Sequence, residues 1–413
     1  MKFLNIMIFI IAWKNIWRNK FRSFIIIAAI TIGLFGGIFS MATMVGMGKQ
    51  RIRTAIKTQV SNIKIHNPQF LKNKEIKYSI NSVDSIINII KQNYKVEAVS
   101  KRLILTAMAS TAETGTGIIM NGIDPKHEIK VTDISKKLTS GNYFTKQKKH
   151  PILISKKLAH KLKAKIRSKI VITTQNNKGD ITGGAFRVVG IFKTADSFFD
   201  ETNIFVLNKD LNILIDENPN DNKAHEIAIL LYDDKNTNEL TKDLKSKFPY
   251  LNIRSWNESQ PDLKMMSSLM DSVSYLFLVI VLLALIFSII NTMLMAVFER
   301  THEIGMLMAI GMKKNKIFNM IMCETIFLSL TGAAIGIFIS FVTIYYFNIY
   351  GINLSIVSKG LSSFGVDSVI YPEVDNIFYI ILTIMVIITA VIASIYPAIK
   401  ALKLKPVTAI RNE

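Results

Sequence analysis

Few residues in this 413-residue chain are of a type and spacing that could do chemistry. The histidines, His66, His127, His150, His160, His225 and His302, are scattered without metal-ligand spacing. His302–Glu303 is followed by Ile304 and Gly305, so no second histidine completes an H-E-x-x-H zinc site. VGMGKQ at 45–50 is faintly like a phosphate-cradling loop, but its first glycine is missing and Gln50 replaces the hydroxyl that would hold magnesium. GTG at 115–117 lies in a strand-like context, and there is no G-x-S-x-G nucleophile turn. The single cysteine, Cys323, excludes an intrachain disulfide and reads as a small buried side chain in an apolar run. Two features remain. Glu324 is ionisable inside an apolar run, where such groups are functional candidates. FERTHEIGMLMAIGMKKNKIF, 298–318, lies between two apolar runs, charged at its ends and helix-patterned in its middle. The expectation is a chain with no catalytic residues, no metal and no cofactor of its own.

The elements that must position these residues follow from composition. Half of the residues are hydrophobic and the mean hydropathy is +0.31, yet 20% are charged. That balance suits a few membrane spans plus a sizeable aqueous domain. Four runs reach the roughly 20 apolar residues a bilayer requires: 24–45, 273–298, 317–347 and 377–397. The first is too long for the apolar core of a secretory signal and is read as an uncleaved span. The expected organisation is an interfacial N-terminal helix (1–20), transmembrane helix 1 (21–47) and an extracytoplasmic α+β domain (48–270). Transmembrane helix 2 (271–298), a cytoplasmic helix (299–316) and transmembrane helix 3 (317–347) follow. A short loop (348–376), transmembrane helix 4 (377–397) and a tail (398–413) complete it. The fold class is therefore membrane α-helical, four transmembrane helices with a large α+β domain inserted between helices 1 and 2.

Flanking charge sets the expected orientation. Lys14, Arg18, Lys20 and Arg22 precede the first span, Arg300, Lys313, Lys314 and Lys316 lie between the second and third, and Lys400, Lys403, Lys405 and Arg411 follow the fourth. The 348–376 connector has only Lys359. Both termini and the 299–316 connector are thus expected in the cytoplasm, with the inserted domain outside. Trp13 and Trp17 beside basic residues suit a headgroup zone. The formal net charge is +21, about +15 of it in 49–264, and reads as a lysine-rich solvated surface. No basic stretch carries interleaved aromatics, so nucleic acid is not an expected partner.

Within the inserted domain, Val83, Ile86, Ile87 and Ile90 recur at helical spacing behind Ser82 as an N-cap. Residues 97–110 and 115–124 read as strands separated by a turn. Residues 154–174 read as an amphipathic helix through Leu158, Leu162 and Ile166, then a strand. Residues 185–194 and 203–208 read as a strand pair across a loop, and 239–248 as a short helix.

In the connector, Ile304, Leu307, Met308 and Gly311 fall at i, i+3, i+4 and i+7, an apolar stripe on a short helix. Glu299, Arg300 and Glu303 lie at its start, with Thr301 as a cap, and Lys313, Lys314 and Lys316 after its end, which suits the helix dipole. Gly305 and Gly311 allow a close approach or a helix stop. An exposed stripe of this kind wants a groove in a partner. Gly332 and Gly336 form a G-x-x-x-G pair, for helix packing within the chain or for a dimer. Glu324, about two turns into its span, is expected to snorkel or to pair with a lysine.

These stretches resemble the FtsX/MacB-type (type VII) ABC permeases, which include the lipoprotein-releasing permeases. Glu299, Arg300, Glu303, Ile304, Gly305, Ala309 and Gly311 match the family's E-R-x-x-E-I-G-x-x-x-A-x-G motif, while Met308 replaces the Arg or Lys often found there. AWKNIWRNKFRSFIIIAAITIGL resembles the family's N-terminal helix and first span, and CETIFLSLTGAAIG its third span. YPAIKALKLKPVTAIR resembles its C-terminal signature, with Pro397, Ala398, Ala401, Pro406, Ala409 and Arg411. The resemblance implies that the connector is a coupling helix docking on a separate ABC ATPase, which binds the ATP and magnesium. It also implies a second permease chain, the same or a paralogue. Lipoprotein release, with lipoprotein cargo and a periplasmic carrier, is the leading expectation. A MacB-like exporter, or a mechanotransmitter controlling a periplasmic hydrolase or sensor, is the alternative.

Overall fold

A computed structural model describes residues 10, 12–14, 16–18, 20–144, 149–215, 218, 222–357, 360 and 368–403. Lys359, Lys405, Pro406, Ala409, Arg411 and the first nine residues of the expected N-terminal helix lie outside them. The chain divides into two compact units, one of 1–48, 267–353 and 369–413, the other of 49–266 and 354–368.

The first unit holds all or most of each helix long and apolar enough to cross a membrane. They run Lys20–Ala55, Pro261–Glu299, Lys314–Tyr350 and Asn376–Leu402. Each exceeds its expected span because hydropathy marks where lipid contact ends, not where the backbone ladder ends. The first continues through the polar 49–53 stretch to Ala55 and closes in a π-helical turn, Ile56–Val60. The second begins at Pro261, whose fixed φ and missing N–H suit the first helical position. The fourth runs through Pro397 to Leu402 instead of ending there. Their shared core includes Ile30, Leu34, Ile38, Leu282, Ile289, Leu328 and Val386. Ala12 and Ile16 are fully buried, while Trp13 and Trp17 are about half exposed. Cys323 is only partly buried.

Gly332 and Gly336 face the first helix of the same chain. A Cβ on Gly332 would lie 2.9 Å from the Ile30 Cβ and 3.1 Å from the Ile27 carbonyl, and one on Gly336 3.1 Å from the Thr31 carbonyl. The Thr31 hydroxyl donates to the Gly332 carbonyl at 3.1 Å. The glycine pair thus does helix packing within the chain, where a side chain would force two backbones apart.

The second unit is built on a ten-stranded mixed sheet. Its strands are β1 (Ile63–His66), β2 (Val96–Ser110), β3 (Gly115–Ile123), β4 (Leu138–Gly141), β5 (Pro151–Ser155), β6 (Lys169–Gln175), β7 (Ile181–Phe192), β8 (Asn203–Leu207), β9 (Glu226–Leu231) and β10 (Asn252–Ser255). The order is β10-β1-β9-β2-β3-β8-β5-β7-β4, with β6 pairing β2 and β7. The fifteen-residue β2 spans two cores: its first half pairs β9, its second half β3 and β6. One core gathers Ile65, Val83, Ile86, Ile90, Ile229 and Leu240, the other Leu105, Met120, Ile154, Leu158, Ile170 and Val206.

The expected strand pair at 97–110 and 115–124 and the helices at 83–91 and 237–247 are present. Three local readings are corrected. Ser82 is left-handed (φ 53°) and makes no side-chain cap. The helix after Ser155 ends at Lys161, because Lys163 (φ 48°) turns the chain, so Ile166 lies beyond it. β7 and β8 do not pair: β5 lies between them, parallel to β7 and antiparallel to β8, and Ser197–Thr202 in the connection is helical.

Candidate functional site: the connector helix and its ion pairs

The connector helix runs Thr301–Ala309. It stops at Gly311 (φ +96°), a left-handed position that favours glycine. The Gly311 N–H donates to the Met308 carbonyl and the Met312 N–H to the Leu307 carbonyl, the paired bonds of a Schellman ending. Thr301 is no N-cap: its hydroxyl donates back to the Val297 and Phe298 carbonyls of the preceding helix. Glu299 is exposed at that helix's end.

The apolar stripe faces inward. Ile304 is 4% exposed, Gly305 is buried, Leu307 is partly buried and Met308 packs against the helical core. Burial against the chain's own bundle removes this surface from water without a partner, which decides its direction. The outward face is His302, Met306, Ala309 and Ile310, with Met306 45% and Ile310 78% exposed.

Four charged side chains meet at the connector: Arg300 and Glu303 at its start, Arg18 from the N-terminal segment and Glu324 from the third long helix. The Arg18 Nη2 donates to both carboxylate oxygens of Glu303. The Arg300 Nε lies 3.9 Å from Glu303, and its Nη1 donates to Glu324 Oε1 at 2.8 Å. Glu324 thus pairs with Arg300 rather than with a lysine. The chain Arg18–Glu303–Arg300–Glu324 borders a cleft of about 340 Å³ whose apolar wall includes Met293, Val297, Met306 and Met320. Exposure grades along it: the Arg18 and Glu303 side chains are half exposed, those of Arg300 and Glu324 14% and 10%. The outer pair is therefore worth about 0–1 kcal/mol. At the inner pair water replaces a lost contact less readily, so that pair matters more. The Arg18 hydrogen bond, working against partial burial, holds the Glu303 carboxyl below its ordinary value.

A second ionic cluster lies in the inserted domain and went unmarked in the sequence. Arg102, in mid-β2, donates to Glu128 through Nε and Nη2 and to Glu226 through Nη1, the shortest contacts being 2.7 Å. Lys64 and His66 also contact Glu226, at 3.0 and 3.1 Å. Arg102, Glu128 and Glu226 are each at most 4% exposed. Burial opposes ionisation of Glu226, yet Lys64, His66 and Arg102 hold its carboxyl well below the ordinary range. The sequence does offer a signal for both clusters. Opposite charges on strands or spans with an apolar surround must find one another.

These features define a multi-pass membrane protein with an inserted α+β domain. Residues 23–247 match the MacB-like periplasmic core domain and residues 275–406 the FtsX-like permease C-terminal domain. The chain belongs to the FtsX/MacB family of ABC transporter permeases. It is 23% identical to the lipoprotein-releasing system transmembrane protein LolC of Neisseria meningitidis serogroup B, over 96% of each chain. It is 28% identical to the ABC transporter permease YtrF of Bacillus subtilis, over 59% of this chain and 56% of that one. A macrolide export ATP-binding/permease protein MacB of Campylobacter fetus is 33% identical over 30% of this chain and 17% of its own length.

Proposed function

We propose that the chain is the permease subunit of an ABC system that releases lipoproteins from the bacterial inner membrane. The reading rests on the end-to-end alignment with LolC, which covers 96% of both chains. The second reading is MacB-like export, favoured by the match of 23–247 to the MacB-like core domain.

In this proposal both termini and the connector are cytoplasmic, and the inserted domain lies outside. A separate ATPase binds ATP and magnesium and receives the connector's outward face, His302, Met306, Ala309 and Ile310. The inward residues Ile304, Gly305 and Met308 seat the helix on the bundle, so nucleotide-driven motion passes into the long helices. The Lys20–Ala55 and Pro261–Glu299 helices continue past their apolar stretches toward the inserted domain's sequence, which supports their role as transmitters. A second permease chain completes the membrane unit, and a periplasmic carrier takes the cargo.

The test is a mild-detergent pull-down of the tagged chain with mass spectrometry of what co-purifies. An ABC ATPase together with a lipoprotein or its carrier is the expected result. An adaptor and outer-membrane channel instead would favour export, and a chain that stays alone with ATP analogue would overturn both readings. Ile310→Asp should abolish ATPase recovery while leaving the chain folded. A cysteine at Ser197 should react with an impermeant maleimide in intact spheroplasts, and reaction only after lysis would reverse the topology.

A further inference from the structure

One face of the inserted sheet is buried but polar. Along β1, Ile63 and Ile65 enter a hydrophobic core while Lys64 and His66 point to the other face. The same alternation holds elsewhere: Leu103 and Leu105 against Arg102 and Ile104 on β2, and Met120 against Asn121 on β3. Cross-strand register aligns this second set. Arg254 pairs with Lys64, His66 with Glu226, Glu226 with Arg102, and Ile104 with Asn121. His66, Arg102, Asn121 and Glu226 are each at most 8% exposed. They are not packed into a solid core, however. They line a cavity of about 330 Å³, within the size range of small-ligand sites, about 300–1,000 Å³.

Its electrostatics have a sign. Lys64 and Arg102 are matched by Glu226 and Glu128. Lys74 and Arg254 also line the cavity, and neither has a carboxylate partner among the described residues. The cavity therefore carries two uncompensated positive charges. The Nδ1 of His66 has no hydrogen-bond partner, although its Nε2 is engaged by Glu226. With Nε2–H donating to Glu226, Nδ1 is a spare acceptor. The remaining wall is apolar and aromatic, with Phe70, Leu71, Phe199 and Phe205, and with Phe198, 72% exposed.

We propose that this cavity binds a small anionic amphiphile, whose acidic group meets Lys74 and Arg254 and whose apolar chain lies along the phenylalanines. An amide or hydroxyl donor near the acidic group would satisfy His66 Nδ1, so an N-acyl amino acid has the complete chemistry. The ligand is a bound small molecule of the domain, and its presence does not depend on which cargo the permease moves.

The test uses the full chain in lipid nanodiscs and a photoreactive, diazirine-bearing N-decanoylglycine, with labelled peptides mapped by mass spectrometry. Saturable labelling of the segments around Phe70 and Phe198, displaced by unlabelled N-decanoylglycine, is the expected result. Lys74→Gln and Arg254→Gln should each weaken it about tenfold, the loss of one charge-assisted contact. Labelling of the long helices, which sample lipid, should stay unchanged and reports that the variants are folded. Labelling confined to the long helices would overturn the proposal. So would equal displacement by the neutral N-decanoylglycine amide, or by inorganic phosphate at the same concentration.

Discussion

The two ionic clusters use the same residue types at opposite exposures. At the connector, Arg18 and Glu303 are half in water; in the inserted domain, Arg102, Glu128 and Glu226 are almost wholly out of it. A half-exposed pair can open and close at little cost, because water replaces each lost contact. A buried triad cannot, because a separated partner has nothing to hydrate it. The first arrangement suits a contact that must change during a cycle, the second a joint that holds two cores on one strand. In neither case does the ion pair's presence measure its strength; the surrounding dielectric does.

The comparison breaks most visibly at Arg102. Arg102→Met should destabilise the chain by about 3–5 kcal/mol, since it takes the cation from buried Glu128 and leaves Glu226 only Lys64 and His66. Thermal unfolding of the purified chain measures this, and adding Glu128→Gln should restore part of the loss, because it removes the carboxylate left without a cation. An unchanged Tm in the single variant would mean that water reaches the triad.

The bundle's counterpart is steric. Gly332→Leu should cost about 1–3 kcal/mol through overpacking against Ile30 and the Ile27 carbonyl. Size-exclusion profiles and Tm of the solubilised chain report it. A variant that keeps its Tm but loses self-association would show that the glycine pair serves a second copy instead.

Asp200 sharpens the contrast within the inserted domain. It is 2% exposed, and burial pushes its carboxyl up to about 6, despite hydrogen bonds from the Thr194 hydroxyl and N–H. The folded state holds the proton more tightly than the unfolded chain. Asp200's contribution is therefore fully present below about pH 4 and is lost as pH rises through about 6. Asp200→Asn should raise stability at pH 7.5 by roughly 1–2 kcal/mol and flatten the dependence between pH 4 and 6. Chemical denaturation across that range checks it, and an unchanged slope would assign the titration elsewhere.

The smallest effect is expected at the outer pair. Arg18→Gln should change stability by less than about 1 kcal/mol. In the reconstituted complex it should nevertheless lower ATPase stimulation, with partial recovery when Glu303→Gln is added. A Tm loss as large as that of Arg102→Met would remove the distinction between the two clusters.

Much of the bundle was legible because apolar length is a local property. The runs containing Ile30, Leu285, Leu328 and Val386 identify themselves. Residue type offered Gly305 and Gly311 each as a close approach or a helix stop, and the backbone makes Gly311 the stop. The direction of the connector's stripe was not legible, since Ile304 and Met308 have the same pattern whether they face a partner or their own bundle. The inserted domain's local elements were readable at 83–91 and 96–123. The β8-β5-β7 order was not, because sequence proximity favours pairing β7 with β8, and only the closed sheet inserts β5 between them.

The sequence by itself determined the spans, the existence of a patterned helix between the second and third, and the family to which its motifs point. These depend on hydropathy, helical period and residue identity, all written within short windows. Tertiary structure decided what meets what. Arg18 and Glu303 are 285 positions apart, Arg102 and Glu226 124 apart, and no local rule couples them. Their pairing follows from chain packing that brings opposite charges from distant segments within reach of one another, a consequence of the whole fold.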